Sequence, residues 1–393
     1  MDIFKKCLGG YQPAQKVRAA GLYPYFIPLT NNEGTESSIG DRNLIMIGSN
    51  NYLGLTMHPQ VRQAAIDAIN TYGPSCSGSR FLNGTLELHL ELERQLASWV
   101  GKEAALVFST GYQVNVGTIP AIVGRNDYVI TDKDDHASIV DGCKLSYGKM
   151  KRFIHNDMAS LEHVLASLPE EVGKLVVVDG IFSMGGDIAP LPEIIPLCKQ
   201  YGARLMVDDA HSLGILGGGR GTAAHFDMTD DVDLIMGTFS KSFASLGGFI
   251  AGDADVLDYI QHTARSLIFS ASIPPANAAA ALASLEVMRK EPERIARLNE
   301  IGAFMRRRYR ALGFDIGATE TPIIPILIRD DIKTLQTWKA LFEAGVYTNP
   351  VLSPAVPPDR TLLRTSYIAT HTAAQLEKVL AIMEQVGQEL GII

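Results

Sequence analysis

The sequence predicts an α/β fold: a large domain on a mostly parallel central sheet, followed by a smaller C-terminal α/β domain. Three observations carry this. From about residue 60 to 275, helical periodicity alternates with short apolar runs bounded by Gly, Asp or Ser. The runs are apolar at successive positions, as strands buried on both faces are. Beyond the long helical pattern "PERIARLNEIGAFMRRRYRALG", strand and helix patterns begin again. The expected division is 1–59 as an N-terminal arm and start of the small domain, 60–275 as the large domain, and 276–393 as the C-terminal small domain.

Taken in order, residues 1 to about 43 read as an arm. A short amphipathic start leads into "AGLYPYFIPLTNNEGTE", rich in aromatics, Pro and Gly. "GTLELHLELERQLASWVG" predicts a helix, with Leu88, Leu92, Leu96 and Val100 on one face. The runs "AALVFSTG", "DYVITD", "KLVVVDGIFS", "ARLMVDDAHS", "VDLIMGTFSKS" and "GGFIAG" predict strands, as do "IPILIRD" and "GVYTNPVL" further on. "THTAAQLEKVLAIMEQVGQELG" closes the chain as a helix, and Thr372 and Gln375 have capping-box spacing.

The net charge of −8 over 393 residues argues against broad nucleic-acid binding, which favours a basic footprint. Four scattered cysteines (Cys7, Cys76, Cys143, Cys198) lack CxxC spacing and read as free thiols of a reducing compartment. The start "MDIFKKCLGGYQPAQK" has no apolar core of signal-peptide length, and no apolar run suits a bilayer span. A soluble cytoplasmic protein is expected, with contact at a membrane surface left open.

In open α/β sheets ligands gather at the carboxyl ends of strands. There the sequence places Ser109-Thr110-Gly111, Asp134-Asp135-His136, Asp179 to Ser183, Asp208-Asp209-Ala210-His211 and Thr238-Phe239-Ser240-Lys241. Lys241 is the one charged residue of "GTFSKSFASLGGFIAG". Desolvation lowers a lysine pKa, and the neutral amine forms a Schiff base with an aldehyde. Pyridoxal 5′-phosphate is the common protein-bound aldehyde; it takes a lysine, a carboxylate on its pyridine nitrogen, and a phosphate cradle. Asp208 ends a strand one crossover before Lys241 and suits the nitrogen. Gly111 and Tyr112 open a helix that suits the phosphate. Thr238 and Ser240 offer hydroxyls, His136 a ring to stack, and His211 a contact to the phenolic oxygen. Each feature alone is weak; together and in this order they are strong.

These residues resemble the α-oxoamine synthases, fold-type I PLP-dependent transferases with an aspartate aminotransferase-like architecture. The resemblance covers nearly the whole chain: "SNNYLGLTMHP", "GSRFLNGTLELHLELE", "FSTGYQVN", "DDHAS", "IFSMGGDIAPLP", "VDDAHSLG", "GTFSKSF" and "LRTSYIATH". It implies an acyltransferase that condenses an amino acid with an acyl-CoA and releases CO2 and CoA. The branch it resembles most takes L-serine and a long-chain acyl-CoA, in a soluble bacterial form. Sister branches use alanine or glycine and make 8-amino-7-oxononanoate or 2-amino-3-oxobutyrate. By position, the resemblance implies Lys241 as Schiff-base lysine and acid/base, Asp208 on the pyridinium, and His136 on the ring face and the substrate carboxylate. It implies Ser183 and His211 beside the ring oxygen, and Gly111, Tyr112, Thr238 and Ser240 at the phosphate. Ser270 would reach that phosphate from the partner subunit of a homodimer with sites at the interface. Arg364 would hold the amino-acid carboxylate, and Asn50 or Asn51 would add a substrate contact. Gly185 is a departure, because many relatives carry an acid there.

Other features read more plainly. "GGGRGTA" (217–223) lacks GxGxxG order and reads as a Gly-rich turn. "RRRYR" (306–310) reads as a solvated helix face, with CoA phosphates as the other use. His89 and Glu93 share a helix face without HExxH order, so no metal is expected. The aromatics of "GLYPYF" suit an acyl channel or an anchor for the arm.

Overall fold

A computed structural model describes residues 2–32 and 34–393; Met1 and Glu33, both in the expected arm, lie outside the described residues. The apolar runs form Ala104–Phe108, Tyr128–Asp132, Lys174–Asp179, Arg204–Asp208, Leu234–Thr238 and Gly248–Gly252. With Lys149–Phe153 they make one seven-stranded sheet. By first residue its order is Ala104, Gly248, Leu234, Arg204, Lys174, Tyr128, Lys149. Gly248–Gly252 is antiparallel to both neighbours, and the other pairings are parallel. The cause is length: the link 239–247 is shorter than the dozen or so residues that a parallel crossover takes.

Each strand serves two cores by its period of two. Val176, Val178, Leu205, Val207 and Ile235 face one core, while Leu175, Val177, Met206, Leu234 and Met236 face the other. All six residues of Lys174–Asp179 are buried. Helix Glu87–Val100 buries Leu92, Leu96 and Val100, with Leu88 packed partly against the same core.

A further core gathers Met305, Tyr309, Ile324, Trp338, Leu363, Tyr367 and Leu380, together with Ile45 and Ile47 from near the N-terminus. The chain ends meet here, because Arg42–Met46 pairs in parallel with Val346–Tyr347. Ile323–Leu327 and Asn349–Val351 flank Leu362–Ser366, both antiparallel to it. The closing helix Ala373–Glu389 carries both capping-box bonds, Gln375 N to Thr372 Oγ1 at 3.2 Å and Thr372 N to Gln375 Oε1 at 3.0 Å. Helix Pro275–Lys290 packs into the first core with Pro59–Tyr72. In Glu293–Leu312, Ile295 and Leu298 join the first core and Ile301, Met305 and Tyr309 the C-terminal one. We therefore place the change of domain inside that helix, later than residue 276.

The plainer motifs find structural uses. Gly221 is at φ 106° and a Cβ there would lie 2.1 Å from Asp209 Oδ2, so "GGGRGTA" is a turn wrapped on a buried carboxylate. His89 Nδ1 accepts from Leu86 N–H and its Nε2–H donates to Ile273 O at 3.2 Å. Glu93 forms a two-pronged pair with Arg80 (2.8 and 3.1 Å) and accepts from Val107 N–H. "RRRYR" is less solvated than its charge suggests: Tyr309 is fully buried, and Arg306 Nη1 donates to Thr321 O at 2.6 Å. In the arm, Arg18 lies over the Tyr23 ring at 4.2 Å, and Tyr23 meets Tyr25 edge-on.

Candidate active site

The carboxyl ends of the Tyr128, Lys174, Arg204 and Leu234 strands converge with the N-terminus of helix Gly111–Ile122 on a cavity of about 320 Å³. Gly111, Tyr112, His136, Asp208, His211, Thr238, Ser240 and Lys241 all line it. Sequence reasoning thus brought together residues that lie up to a third of the chain apart.

Lys241 follows the Leu234 strand. Burial pulls its ammonium down to about 8; Asp208 and Asp179 oppose that fall and Arg364 adds to it. Asp208 closes its strand at 3% exposure. Its Oδ2 accepts from Asn115 Nδ2 at 2.7 Å and its Oδ1 from Ala210 N–H at 3.0 Å. Both bonds come from neutral donors, and the carboxyl group stands on the cavity wall.

His136 caps helix Ala137–Leu145, and its backbone N–H donates to Asp179 at 3.2 Å. Burial, reinforced by Lys241 and opposed by Asp208, lowers its pKa. His211 is buried, and burial, with the charges of Lys241, Arg364 and His136, drives its pKa well below the usual imidazole value.

Arg364 reaches His211 through Tyr52. The guanidinium only donates. Its Nη2 gives a hydrogen bond to Tyr52 Oη at 3.2 Å and its Nε another to Ser183 O at 2.6 Å. Tyr52 Oη is also hydrogen-bonded to His211 Nδ1 at 2.7 Å and lies 3.2 Å from Asn50 Oδ1. Arg364 is 5% exposed, and among the described residues it has no carboxylate partner.

The remaining expected residues, Ser183, Ser270, Asn50, Asn51 and Arg364, do not line the cavity. Ser183 offers its carbonyl to Arg364. Ser270 accepts from Gln113 Nε2 of its own chain at 3.1 Å. Asn50 touches Tyr52, whereas Asn51 turns to Thr56 Oγ1 at 2.7 Å. Gly185 has a steric reason: a Cβ there would lie 2.1 Å from Asp187 Oδ1. Asp187 in turn holds His155 Nε2 at 2.8 Å, with Asp132 on the other ring nitrogen at 3.0 Å. Burial lowers the His155 pKa, but the two carboxylates outweigh it and raise it to about 10.

Three cavity or neighbouring residues escaped the sequence reading, Tyr52, Asn115 and Ser138, and Asp179 was flagged at a strand end without a role. Asp179 ends a strand as Asp208 does, and the same rule flags it. Burial, then repulsion from Asp208, holds its pKa well above the carboxylate range. Asn115 sits inside a helix, and nothing in the sequence singles it out.

The cavity fits pyridoxal phosphate. Thr110 caps the helix, with its Oγ1 accepting from Gln113 N–H at 3.1 Å. The first N–H groups of a helix have no intrahelical partner and suit an anion. Backbone approach there is close: a Cβ on Gly111 would lie 2.5 Å from Thr238 Oγ1, and one on Gly248 would lie 2.7 Å from Gly111 Cα. A recessed lysine and a buried carboxylate stand on the same cavity.

Comparison with known proteins agrees with this construction. The chain is 52% identical over 379 residues to a serine palmitoyltransferase of Sphingobacterium spiritivorum, covering 96% of this chain and 95% of the relative. It is 43% identical over 383 residues to an 8-amino-7-oxononanoate synthase of Geobacter sulfurreducens, covering 96% and 98%. A substituted serine palmitoyltransferase from S. paucimobilis, solved with a bound PLP–myriocin aldimine, superposes with a TM-score of 0.97 at 36% identity, covering 100% of both chains. The family model for aminotransferase class I and II matches residues 42–383. That match spans the large sheet, most of the C-terminal core and every residue that lines the cavity, and the chain belongs to the aminotransferase class I and II family.

Proposed function

We propose that this chain catalyses the pyridoxal phosphate-dependent decarboxylative condensation of L-serine with a long-chain acyl-CoA. With palmitoyl-CoA the products are 3-ketodihydrosphingosine, CoA and CO2, the first step of sphingolipid synthesis. The observation that carries this reading is Arg364: a buried guanidinium without a carboxylate partner among the described residues, joined through Tyr52 to His211 on the cavity wall. A two-pronged donor suits the carboxylate of an amino acid. Relatives named serine palmitoyltransferase, at about half identity over nearly the full length, support the choice of serine.

When bound, the cofactor supplies an aldehyde for the lysine and an electron-accepting ring. The protein does the rest. Asp208 would hold a proton on the pyridine nitrogen. Gly111 and Tyr112 N–H groups, with Thr238 and Ser240, would hold the phosphate. His136 would lie against the ring, and His211, with Ser183, would serve its oxygen. Arg364 and His136 would bind the serine carboxylate and orient the α-proton for removal. Lys241, neutral above about pH 8, takes the α-proton and later returns one. Asn50, which faces Tyr52, is the better placed of the two asparagines to reach substrate.

A homodimer with sites at the interface is part of the proposal. Loop 78–84 is tied to Ser272 (Ser272 N to Gly78 O, 2.9 Å; Oγ to Gly84 O, 2.6 Å), and around this tie Phe81, Leu82 and Phe269 stand exposed. Exposed apolar groups grouped this way suit a second copy, and Ser270 beside them would reach the partner's phosphate. Among the described residues no helix is long and apolar enough to cross a membrane. We place the enzyme in the cytoplasm, with the exposed Ile3, Phe4 and Leu8 beside Lys5 and Lys6 suited to peripheral lipid contact.

The test is CoA thiol release from palmitoyl-CoA by the purified holoenzyme with L-serine, glycine or L-alanine. Release with serine is expected, and Lys241→Ala should abolish it. Release with alanine or glycine alone would assign a sister condensation instead. Turnover retained by Lys241→Ala would sink the mechanism.

A further inference from the structure

Asn115 is fully buried, one turn into helix Gly111–Ile122. Its side-chain N–H₂ has two protons, and both are used. One goes to Asp208 Oδ2 at 2.7 Å and the other to Ser138 Oγ at 2.8 Å. The carboxylate fixes which end of the amide is nitrogen, since an amide oxygen there would face another acceptor. Asn115 Oδ1 is buried and has no hydrogen-bond partner. The amide is thus held by its two donors against the cost of an unpaired acceptor.

The Ser138 hydroxyl accepts from Asn115, so its single proton is free for His136 Nδ1, 2.7 Å away. That nitrogen also accepts the Ser138 backbone N–H at 3.2 Å. Nδ1 therefore carries no proton, and neutral His136 keeps its proton on Nε2. Protonating Nδ1 would set it against the Ser138 backbone N–H, a donor facing a donor, and would take from the Ser138 hydroxyl the acceptor of its proton. The contact depends on close helix packing: a Cβ on Gly142 would lie 2.7 Å from the Asn115 carbonyl oxygen. The charged and titratable groups around His136 are Lys241, Asp208 and His211 on the cavity, and Asp179 at its backbone.

We infer that Asn115 is a positioning residue that sets the two flanks of the cofactor at once, fixing the Asp208 carboxylate directly and the His136 tautomer through Ser138. The inference rests on the proposed cofactor chemistry and adds to it one coupled device for charge at the ring nitrogen and neutrality at the ring face.

The test uses the holoenzyme with three variants. Asn115→Leu keeps the branched heavy-atom outline, somewhat larger, without the donors. Ser138→Ala cuts the His136 leg alone, and Ser138→Thr restores its hydroxyl. The readouts are the Kd for pyridoxal 5′-phosphate, the pH titration of bound-cofactor absorbance, and the low-pH limb of kcat/KM. Asn115→Leu should weaken cofactor affinity about tenfold or more, as expected for losing a hydrogen bond to a charged acceptor, and should shift the absorbance titration. Ser138→Ala should keep the affinity within about twofold yet raise the low-pH limb by about one unit, because Nδ1 can then take a proton. Ser138→Thr should return that limb to its original place. Unchanged affinity and absorbance titration in Asn115→Leu, or an unmoved limb in Ser138→Ala, would overturn the inference. If Asn115→Leu does not fold, the Ser138 pair still decides the link to His136. The affinity measurement uses neither serine nor acyl-CoA, so it stands whichever substrates the enzyme takes. A wild-type chain that binds no pyridoxal phosphate would overturn the functional reading and this one together.

Discussion

At the scale of the residue, the central fact is a lysine whose charge is unwelcome. Burial holds Lys241 at about 8, against about 10.4 in water, with Asp208 and Asp179 opposing the fall. In the apoenzyme the reactive amine therefore appears above about pH 8. Stopped-flow capture of pyridoxal phosphate should speed up with pH and level off near that value. Because Asp208 raises the lysine pKa, Asp208→Asn should move the plateau to lower pH. A plateau near 10 in the wild type would contradict this account. The neighbouring groups are prepared in the same way. His211 shares a 2.7 Å hydrogen bond with Tyr52, which also accepts from Arg364. Burial, with the charges of Lys241 and Arg364, disfavours its protonation.

At the scale of the element, strand ends and one helix N-terminus set the geometry. Gly111 is where the helix approaches the Leu234 strand, and a methyl group there meets Thr238 Oγ1 at 2.5 Å. Gly111→Ala should leave the helix intact, since Ala is a good helix former. Overpacking of this kind costs about 1–3 kcal/mol, and here it falls on the phosphate cradle. The expected result is a Kd for pyridoxal phosphate raised about tenfold or more by titration, with a smaller loss in the apoenzyme unfolding midpoint. Most of these elements were legible in the sequence, because a run of valines and isoleucines between Gly and Asp has few other uses. Lys149–Phe153 was not legible. "KMKRF" carries three basic residues and looks like surface, yet it is the outer strand of the sheet, where charge guards an unpaired edge. Leu362–Ser366 and the pairing of Glu36–Ile39 with Arg42–Met46 were also missed, because short strands in polar context lack a period to read.

At the scale of the whole molecule, the chain ends are sewn together and the site lies between two cores. Arg364 belongs to a strand of the C-terminal core, but its guanidinium bonds to Ser183 and Tyr52 in the other part. Ile45 and Ile47 pack into the C-terminal core from the opposite end of the chain. Truncation through residue 11 should leave the urea midpoint nearly unchanged, since each of residues 2–11 is exposed. Truncation through residue 47 removes two buried isoleucines worth roughly 1.5–3 kcal/mol each and a paired strand. Its midpoint should fall sharply; equal midpoints for the two truncations would contradict the closure of the chain on itself.

By itself the sequence determined the class of sheet, the strand ends that carry chemistry, and the lysine, aspartate and histidines that gather there. These are local properties: hydrophobic period, punctuation by Gly and Asp, and a lysine in an apolar stretch. The tertiary structure alone decided the rest. It placed Tyr52 between Arg364 and His211, left Arg364 without a carboxylate partner among the described residues, and brought Asn115 from a helix interior to Asp208 and Ser138. It also gave Asn51 a hydrogen bond to Thr56 and Asn50 one from Tyr52. The physical reason is that a hydrogen bond between distant residues depends on how elements pack, and packing at Gly142 or Gly111 leaves no periodic mark in the chain.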